Sequence, residues 1–265
     1  MISIVVSSYQ KHHFEAFSEN VARTIGATPY EIVQIWNPGS MGICAAYNKG
    51  AKNAVYPYLC FVHEDVLFKT KNWGDSVLQH LQNFHTGAIG VAGSAYKSEI
   101  PSSWSIFKQY NAIHIFQHFK ENRKTPQLIK QPENLLKFQV VALDGVFIAT
   151  RKAIWEQFPF DAESFTHFHG YDIDFSLALS KNFKLYVVSD ILLEHFSQGN
   201  ADRKWLSAAV KISEKWKNIL PVSCVPISNV QEKELRAEAK RRLIKKLNRL
   251  NYNWYQKIYY TLKYT

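Results

Sequence analysis

Leu59-Cys60-Phe61-Val62-His63-Glu64-Asp65-Val66-Leu67-Phe68 is an apolar run that breaks into His, Glu and Asp and then resumes as Val-Leu-Phe. That pattern is the signature of a buried strand delivering polar side chains at its C-terminal end, where open α/β sheets bind their ligands. On an extended backbone, residues two apart share a side, so His63 and Asp65 point one way and Glu64 the other. An imidazole and a carboxylate on one side can share a divalent cation. A strand that simply ends in a polar loop is the alternative for this stretch taken alone.

The flanking sequence repeats the strand and loop alternation. Ile2-Ser3-Ile4-Val5-Val6 is β-branched and runs into Ser7-Ser8-Tyr9, a short buried strand ending in a polar loop. A helix is predicted over 14–26, a strand over 30–36 closed by the turn Asn37-Pro38-Gly39-Ser40, and a helix rich in small residues over 42–54. Three strands alternating with helices within 65 residues point to an α/β fold with a doubly wound, mainly parallel sheet and flanking helices. Further along, a helix is expected over 73–84, a strand over 88–93, a strand over 138–149 and a short helix over 152–157. A helix over 170–179 follows, because the acidic opening at Asp172 and Asp174 favours a helix N-terminus. A strand over 184–188, a second strand ending at His195 and a helix over 204–216 complete this part.

Residues 94–136 hold Pro101, Pro126 and Pro132, many aromatics and a basic patch at Lys120, Arg123 and Lys124. They read as a variable insertion or substrate lid, since loops of such length are usually functional or mobile. The expected organisation is a catalytic domain over 1–220 and a helical extension over 221–265.

Composition narrows the function classes. With 46% hydrophobic residues in 265, the chain builds one large domain or a domain with an appendage. Cys44, Cys60 and Cys224 are odd in number and widely spaced, so they read as reduced, structural thiols. The net charge is +10, and residues 230–265 carry ten Lys/Arg against three Glu, a net +7. The remainder is then only weakly basic, which argues against a nucleic-acid-binding core. Met1-Ile2-Ser3-Ile4-Val5-Val6 has no basic leader, and no apolar stretch approaches the roughly 20 residues that span a bilayer. The expected compartment is therefore the cytoplasm.

His63, Asp65, Asp144, Asp172, Asp174 and His195 all fall at strand ends or helix starts of one sheet, and those ends converge on one edge. Carboxylates and imidazoles gathered there need a cation or a substrate to compensate them. Mixed oxygen and nitrogen ligation suits Mn²⁺, with Mg²⁺ as the alternative.

Over about residues 2–200 the chain resembles the GT-A fold glycosyltransferases, in particular the inverting family 2 enzymes that use nucleotide-sugar donors. Gly42-Ile43-Cys44-Ala45-Ala46-Tyr47-Asn48-Lys49-Gly50 is similar to the family's Gly-Leu-Ala-Ala-Ala-Arg-Asn-x-Gly segment, and Phe61-Val62-His63-Glu64-Asp65 sits where the family carries Asp-x-Asp. Asp144-Gly145-Val146-Phe147, Phe160-Asp161 and Tyr171-Asp172-Ile173-Asp174-Phe175-Ser176-Leu177 follow in the family's order, and the last resembles its Glu-Asp-x-Asp-Leu-Ser-Leu helix start.

The resemblance implies roles for individual residues. Asp65 would bind the cation that bridges the donor diphosphate, with His63 and His195 as further ligands. Asp172 would be the general base. Ser7, Ser8, Tyr9, Asn37, Asn48 and Glu64 would hold the donor, while Asp144, Gly145 and Tyr171 would meet the sugar or the acceptor. The chain departs from the family in having His63 for Asp, Tyr171 for Glu, Trp36-Asn37 for acidic residues and Tyr47 for Arg.

The implied partners are a nucleotide-sugar donor and a glycan or lipid-linked acceptor, in surface polysaccharide assembly. A catalytically silent nucleotide- or glycan-binding protein is the alternative raised by the missing acidic residues. Ser7-Ser8-Tyr9-Gln10-Lys11 is not the Gly-rich loop of a nucleotidyltransferase.

In the C-terminal extension, Leu235, Ala239, Leu243, Leu247, Leu250, Trp254 and Ile258 recur every three or four residues with Lys and Arg between them. This is the pattern of a basic amphipathic helix. It suits an anionic membrane surface, as a peripheral protein on the inner face of the cell membrane. Packing on the catalytic domain, or on a second copy as a homodimer, competes with that use.

Overall fold

The structure, a computed structural model, describes residues 1–118, 127–131, 136–197 and 199–264. The basic patch Lys120, Arg123 and Lys124 lies outside the described residues. The chain opens with β1 (Ile2–Ser8), α1 (Lys11–Thr24), β2 (Tyr30–Trp36), α2 (Ile43–Asn53), β3 (Tyr58–His63), β4 (Val66–Phe68) and α3 (Trp73–Leu81). Seven short strands and one longer one follow: β5 (Thr86–Gly90), β6 (Ala92–Ser94), β7 (Tyr96–Lys97), β8 (Asn111–Gln117), β9 (Gln127–Gln131), β10 (Lys137–Val140), β11 (Ala142–Leu143) and β12 (Phe147–Arg151). Then come α4 (Lys152–Gln157), α5 (Tyr171–Ser180), β13 (Lys184–Val188), β14 (Leu193–His195), α6 (Arg203–Lys215), β15 (Val222–Ser223), α7 (Asn229–Arg249) and α8 (Trp254–Lys263).

β1 and β3 are buried on both faces, whereas β2 at the sheet's edge is mostly half-buried, and the side chains of the two buried strands sort by the period of two. Ile2, Ile4 and Val6 of β1 with Cys60 and Val62 of β3 join Phe17, Val21, Trp73 and Val77 in one cluster, beneath α1 and α3. Val5, Leu59 and Phe61 face the other way, onto Ile43, Tyr47 and Ala51 of α2 and Phe175 of α5. Helix α2 comes so close to the sheet that a Cβ at Gly50 would strike Val5. Trp73 is fully buried, stacks on Phe68 at 4.0 Å and donates its indole N–H to Thr24 Oγ1. Trp73→Ala should therefore destabilise the fold by about 3–5 kcal/mol, read from the denaturant midpoint.

The seven-stranded sheet has the order β10-β13-β5-β12-β3-β1-β2. It is mixed: β1 is parallel to β2 and β3, and β13 to β5, while β12 runs antiparallel to both its neighbours and β10 antiparallel to β13. The apolar runs 88–93 and 138–149 each divide between two sheets. Val91 and Val141 are the crossing points, giving β5 then β6 and β10 then β11.

The second sheet has the order β11-β6-β8-β14-β4, with β9 beside β8. Its strand β8 comes from the 94–136 span and lies between β6 and β14. In the C-terminal region, Leu235, Ala239, Leu243 and Leu247 of α7 are buried against Tyr96, Ile100, Ile106, Phe107 and Leu206. The expected helix is two helices, divided at Asn251, whose φ of 53° places it in the left-handed region that asparagine tolerates at helix ends.

Candidate functional site

Parallel pairing brings the C-terminal ends of β1, β2 and β3 to one edge, with Ser7 opposite His63 and Ser8 opposite Trp36. The turn before β12 reaches the same edge, where the His63 amide donates to the Val146 carbonyl. In the second sheet His195 pairs with Val66, next to Asp65, and with Gln117. Register therefore sets His63 at the edge and His195 beside the residue that follows Asp65.

The ligand atoms of His63, Asp65 and His195 lie within 4.8 Å of one another. Asp65 Oδ1 is 4.0 Å from His63 Nδ1 and 3.6 Å from His195 Nε2. Residues 64–65 form a turn rather than extended strand, so it is the turn that brings Asp65 to His63. Burial works to raise the Asp65 carboxyl, but His63, His195 and Ser197 outweigh it and hold it below the usual carboxylate value.

The outer nitrogen of each imidazole is fixed. Tyr171 is buried and its hydroxyl donates to the Gly145 carbonyl at 2.9 Å, so it accepts from His63 Nε2–H at 2.8 Å. Gln117 donates its amide N–H to the carbonyls of His118 and Ser197. That leaves its amide oxygen to accept from His195 Nδ1–H at 3.1 Å. Both inner lone pairs, on His63 Nδ1 and His195 Nε2, then face Asp65. Outer-shell partners that set the tautomer in this way are what metal-binding histidines require. The donor set, two imidazoles and an ionised carboxylate, fits a divalent cation.

Two predictions arise here. Tyr171→Phe removes the acceptor for His63 Nε2–H and should lower divalent-cation affinity about 10–100-fold, read by calorimetry. A Cβ at Gly145 would strike the Tyr171 hydroxyl, so Gly145→Ala should produce the same loss.

A cleft of about 650 Å³ opens beside the cluster, lined among others by His63, Asp144, Asp172, His195, Trp104 and Trp205. Asp172 stands in the first turn of α5 and accepts from the Gly145 amide at 3.2 Å. Burial first, and then the nearby Asp144 charge, push its carboxyl up to about 7. Asp144 accepts from the Val146 amide and from the Trp104 indole at 2.7 Å. Asp174, by contrast, is buried against Lys215 and the Trp216 indole, an ion pair away from the chemistry.

The other residues expected to hold a donor do not line this cleft. Glu64 accepts from the Tyr9 and Gln10 amides, so it pins the loop after β1, and burial raises its carboxyl. Ser7 and Ser8 accept from Asn37 and Gln34, and Asn37 also closes the turn onto Met41. Tyr9 and Trp36 are exposed at this edge. Asn48 binds the Phe160 backbone in both directions and the Trp155 indole, which ties α2 to the chain after α4. Gln117, Trp104, Trp205, Arg242 and Lys246 were not among the residues expected from the sequence. They reach the site through contacts far apart in the chain.

A mixed sheet that carries a His/Asp/His cluster beside an acidic cleft at its parallel strand ends has the GT-A architecture. The chain belongs to the glycosyltransferase-like family, whose model matches residues 3–217. No curated protein matches its sequence. Among solved structures it is similar to GalNAc-T7 with UDP, GalNAc and Mn²⁺, at 12% identity and a TM-score of 0.60. That likeness covers 82% of this chain and 49% of the other, so the chain spans about half the length of GalNAc-T7. It is also similar to S. aureus TarS 1-349, at 13% identity and a TM-score of 0.51, over 93% of this chain and 72% of that one.

Proposed function

We propose that the protein is a metal-dependent glycosyltransferase that moves a sugar from a nucleotide-diphosphate-sugar donor to a glycan or lipid-linked acceptor, with inversion, in surface polysaccharide synthesis. The observation that carries this reading is the pair of imidazoles whose outer nitrogens are fixed by Tyr171 and Gln117. Their inner nitrogens converge on Asp65, beside a cleft that holds one raised carboxyl. The GalNAc-T7 structure contains UDP and Mn²⁺, and one TarS structure contains UDP, which supports a nucleotide-sugar partner.

His63, Asp65 and His195 would hold the cation, Mn²⁺ before Mg²⁺, and a bound cation neutralises charge on a leaving diphosphate. Asp172 takes the proton of the acceptor hydroxyl as that oxygen bonds to the anomeric carbon. The bond from that carbon to the diphosphate breaks from the opposite face, and the nucleoside diphosphate leaves. Exposed Tyr9 and Trp36 offer flat surfaces for a nucleobase at the ends of β1 and β2.

Among the described residues no helix is long and apolar enough to cross a membrane. Helix α8 leaves Trp254, Tyr255, Ile258, Tyr259 and Leu262 exposed. Aromatic residues of this kind favour a lipid–water interface, so we place the protein in the cytoplasm, peripheral on the membrane's inner face, where a lipid-linked acceptor is within reach.

The test is a thermal-shift panel of nucleotide sugars with and without Mn²⁺, followed by mass measurement of glycosylated products. A ligand that binds only the native state raises the midpoint. A Mn²⁺-dependent rise with one donor and transfer to an acceptor glycan are expected. Binding without turnover on any acceptor would favour the silent alternative, and no rise with any donor sinks the proposal.

A further inference from the structure

Helix α7 does more than cover the fold. Leu235, Ala239, Leu243 and Leu247 repeat every four residues and are buried, which sets the rotation of the helix. Arg242 and Lys246, also four apart and each just before one of these leucines, are thereby carried to one flank. That flank is a wall of the cleft that His63, Asp144 and Asp172 line.

The two cations are held differently. Arg242 donates through Nε to Glu238 and through Nη1 to the Ile106 carbonyl, so its guanidinium is fixed against the chain between β7 and β8. Lys246 stands 4.8 Å over the Trp205 ring. Among the described residues it forms no salt bridge with a carboxylate. Burial, and after it Arg249, lower its basicity. A half-buried ammonium that, among the described residues, has an aromatic ring and a second cation near it but no carboxylate gains from an anion that enters the cleft. Trp104, on the same walls, offers a flat face on which a pyranose ring stacks.

We propose that α7 builds an anion subsite into the cleft, where Lys246 and Arg242 recognise a phosphate or carboxylate carried by the acceptor. The inference rests on the transferase reading above, in which the donor diphosphate is met at His63, Asp65 and His195. A second positive pole on the wall is then left for the other substrate. The acceptor is accordingly a phosphorylated or acidic glycan rather than a neutral one.

The test is binding, measured by calorimetry at fixed ionic strength, with N-acetylglucosamine, N-acetylglucosamine 6-phosphate and glucuronic acid as probes. At least one charged probe should bind about tenfold more tightly than the neutral sugar, the size expected of a charge-assisted contact. Lys246→Gln should remove most of that preference and Lys246→Glu all of it. Lys233→Gln, on an exposed turn of the same helix away from the cleft, should keep it. UDP affinity should be the same in all four proteins, and unfolding midpoints would show that each variant folds. Equal affinity of wild type for all three probes overturns the proposal, as does a preference that survives Lys246→Glu. A parallel loss of UDP affinity would overturn it too, by assigning the cation to the donor. Because the readout is binding, a Lys246-dependent preference in a protein that transfers no sugar would sink the transferase reading and leave the anion subsite standing.

Discussion

Asp172→Asn is expected to lower kcat by roughly 10²–10⁴-fold, the usual worth of a positioned general base, with donor affinity nearly unchanged. The amide keeps the shape of the side chain and its contact with the Gly145 amide, but it takes up no proton. Activity follows the ionised form of Asp172. Because burial and then Asp144 raise that carboxyl to about 7, the rate should climb with pH through the neutral range. Asp144→Asn removes one of the two causes, so the acid limb should move to lower pH.

Stability carries the opposite sign in the metal-free protein. A carboxyl raised from its ordinary value to about 7 favours the fold while protonated, and that contribution is lost as pH rises toward and through 7. Asp172→Asn should therefore be more stable than wild type at pH 8, with the difference shrinking as pH falls toward 4. Turnover retained in the variant, or an acid limb that ignores Asp144→Asn, removes Asp172 from the base role.

The sequence made much of this legible because strand ends carry chemistry. β2, α4 and β13 have the boundaries that the pattern of apolar and turn residues predicts, and α5 begins at Tyr171, one residue past the expected start, because Gly170 with its φ of 91° stands outside the helix. His63, Asp65, Asp144, Asp172 and His195 meet because each sits at a strand end, in the turn after one or at a helix start on the same edge. What stayed hidden depends on which sheet a strand joins. Val91 and Val141 each stand between apolar or small neighbours, Gly90 and Ala92, Val140 and Ala142, so nothing local marks them as crossing points. The four-residue stripe of α7 announced a buried face without saying what buries it, and the cover proved to be 96–107 and α6. Gln117 and Tyr171 set histidine tautomers across separations of 78 and 108 residues, which no spacing rule reports.

Asp65→Ala is expected to abolish Mn²⁺ binding in the micromolar range and, with it, sugar transfer. The carboxylate is the only anionic member of the His63, Asp65 and His195 cluster, so without it two neutral imidazoles must hold a divalent charge alone. Chelation of wild type should reproduce the loss, and added Mn²⁺ should restore wild type but not the variant. Manganese electron paramagnetic resonance reads occupancy directly, apart from turnover. The identity of the donors makes a sharper demand. Imidazole nitrogen suits Mn²⁺ better than Mg²⁺, which prefers oxygen and retains water. Replacing His63 nitrogen by carboxylate oxygen in His63→Asp should therefore reduce the activity ratio of Mn²⁺ to Mg²⁺ by about tenfold. The same change removes the imidazole N–H that the Tyr171 hydroxyl accepts while leaving its bond to the Gly145 carbonyl, so the cation affinity that Tyr171→Phe costs in wild type should change little once Asp stands at 63. Equal penalties in the two backgrounds would mean that Tyr171 acts on the fold and not through the histidine.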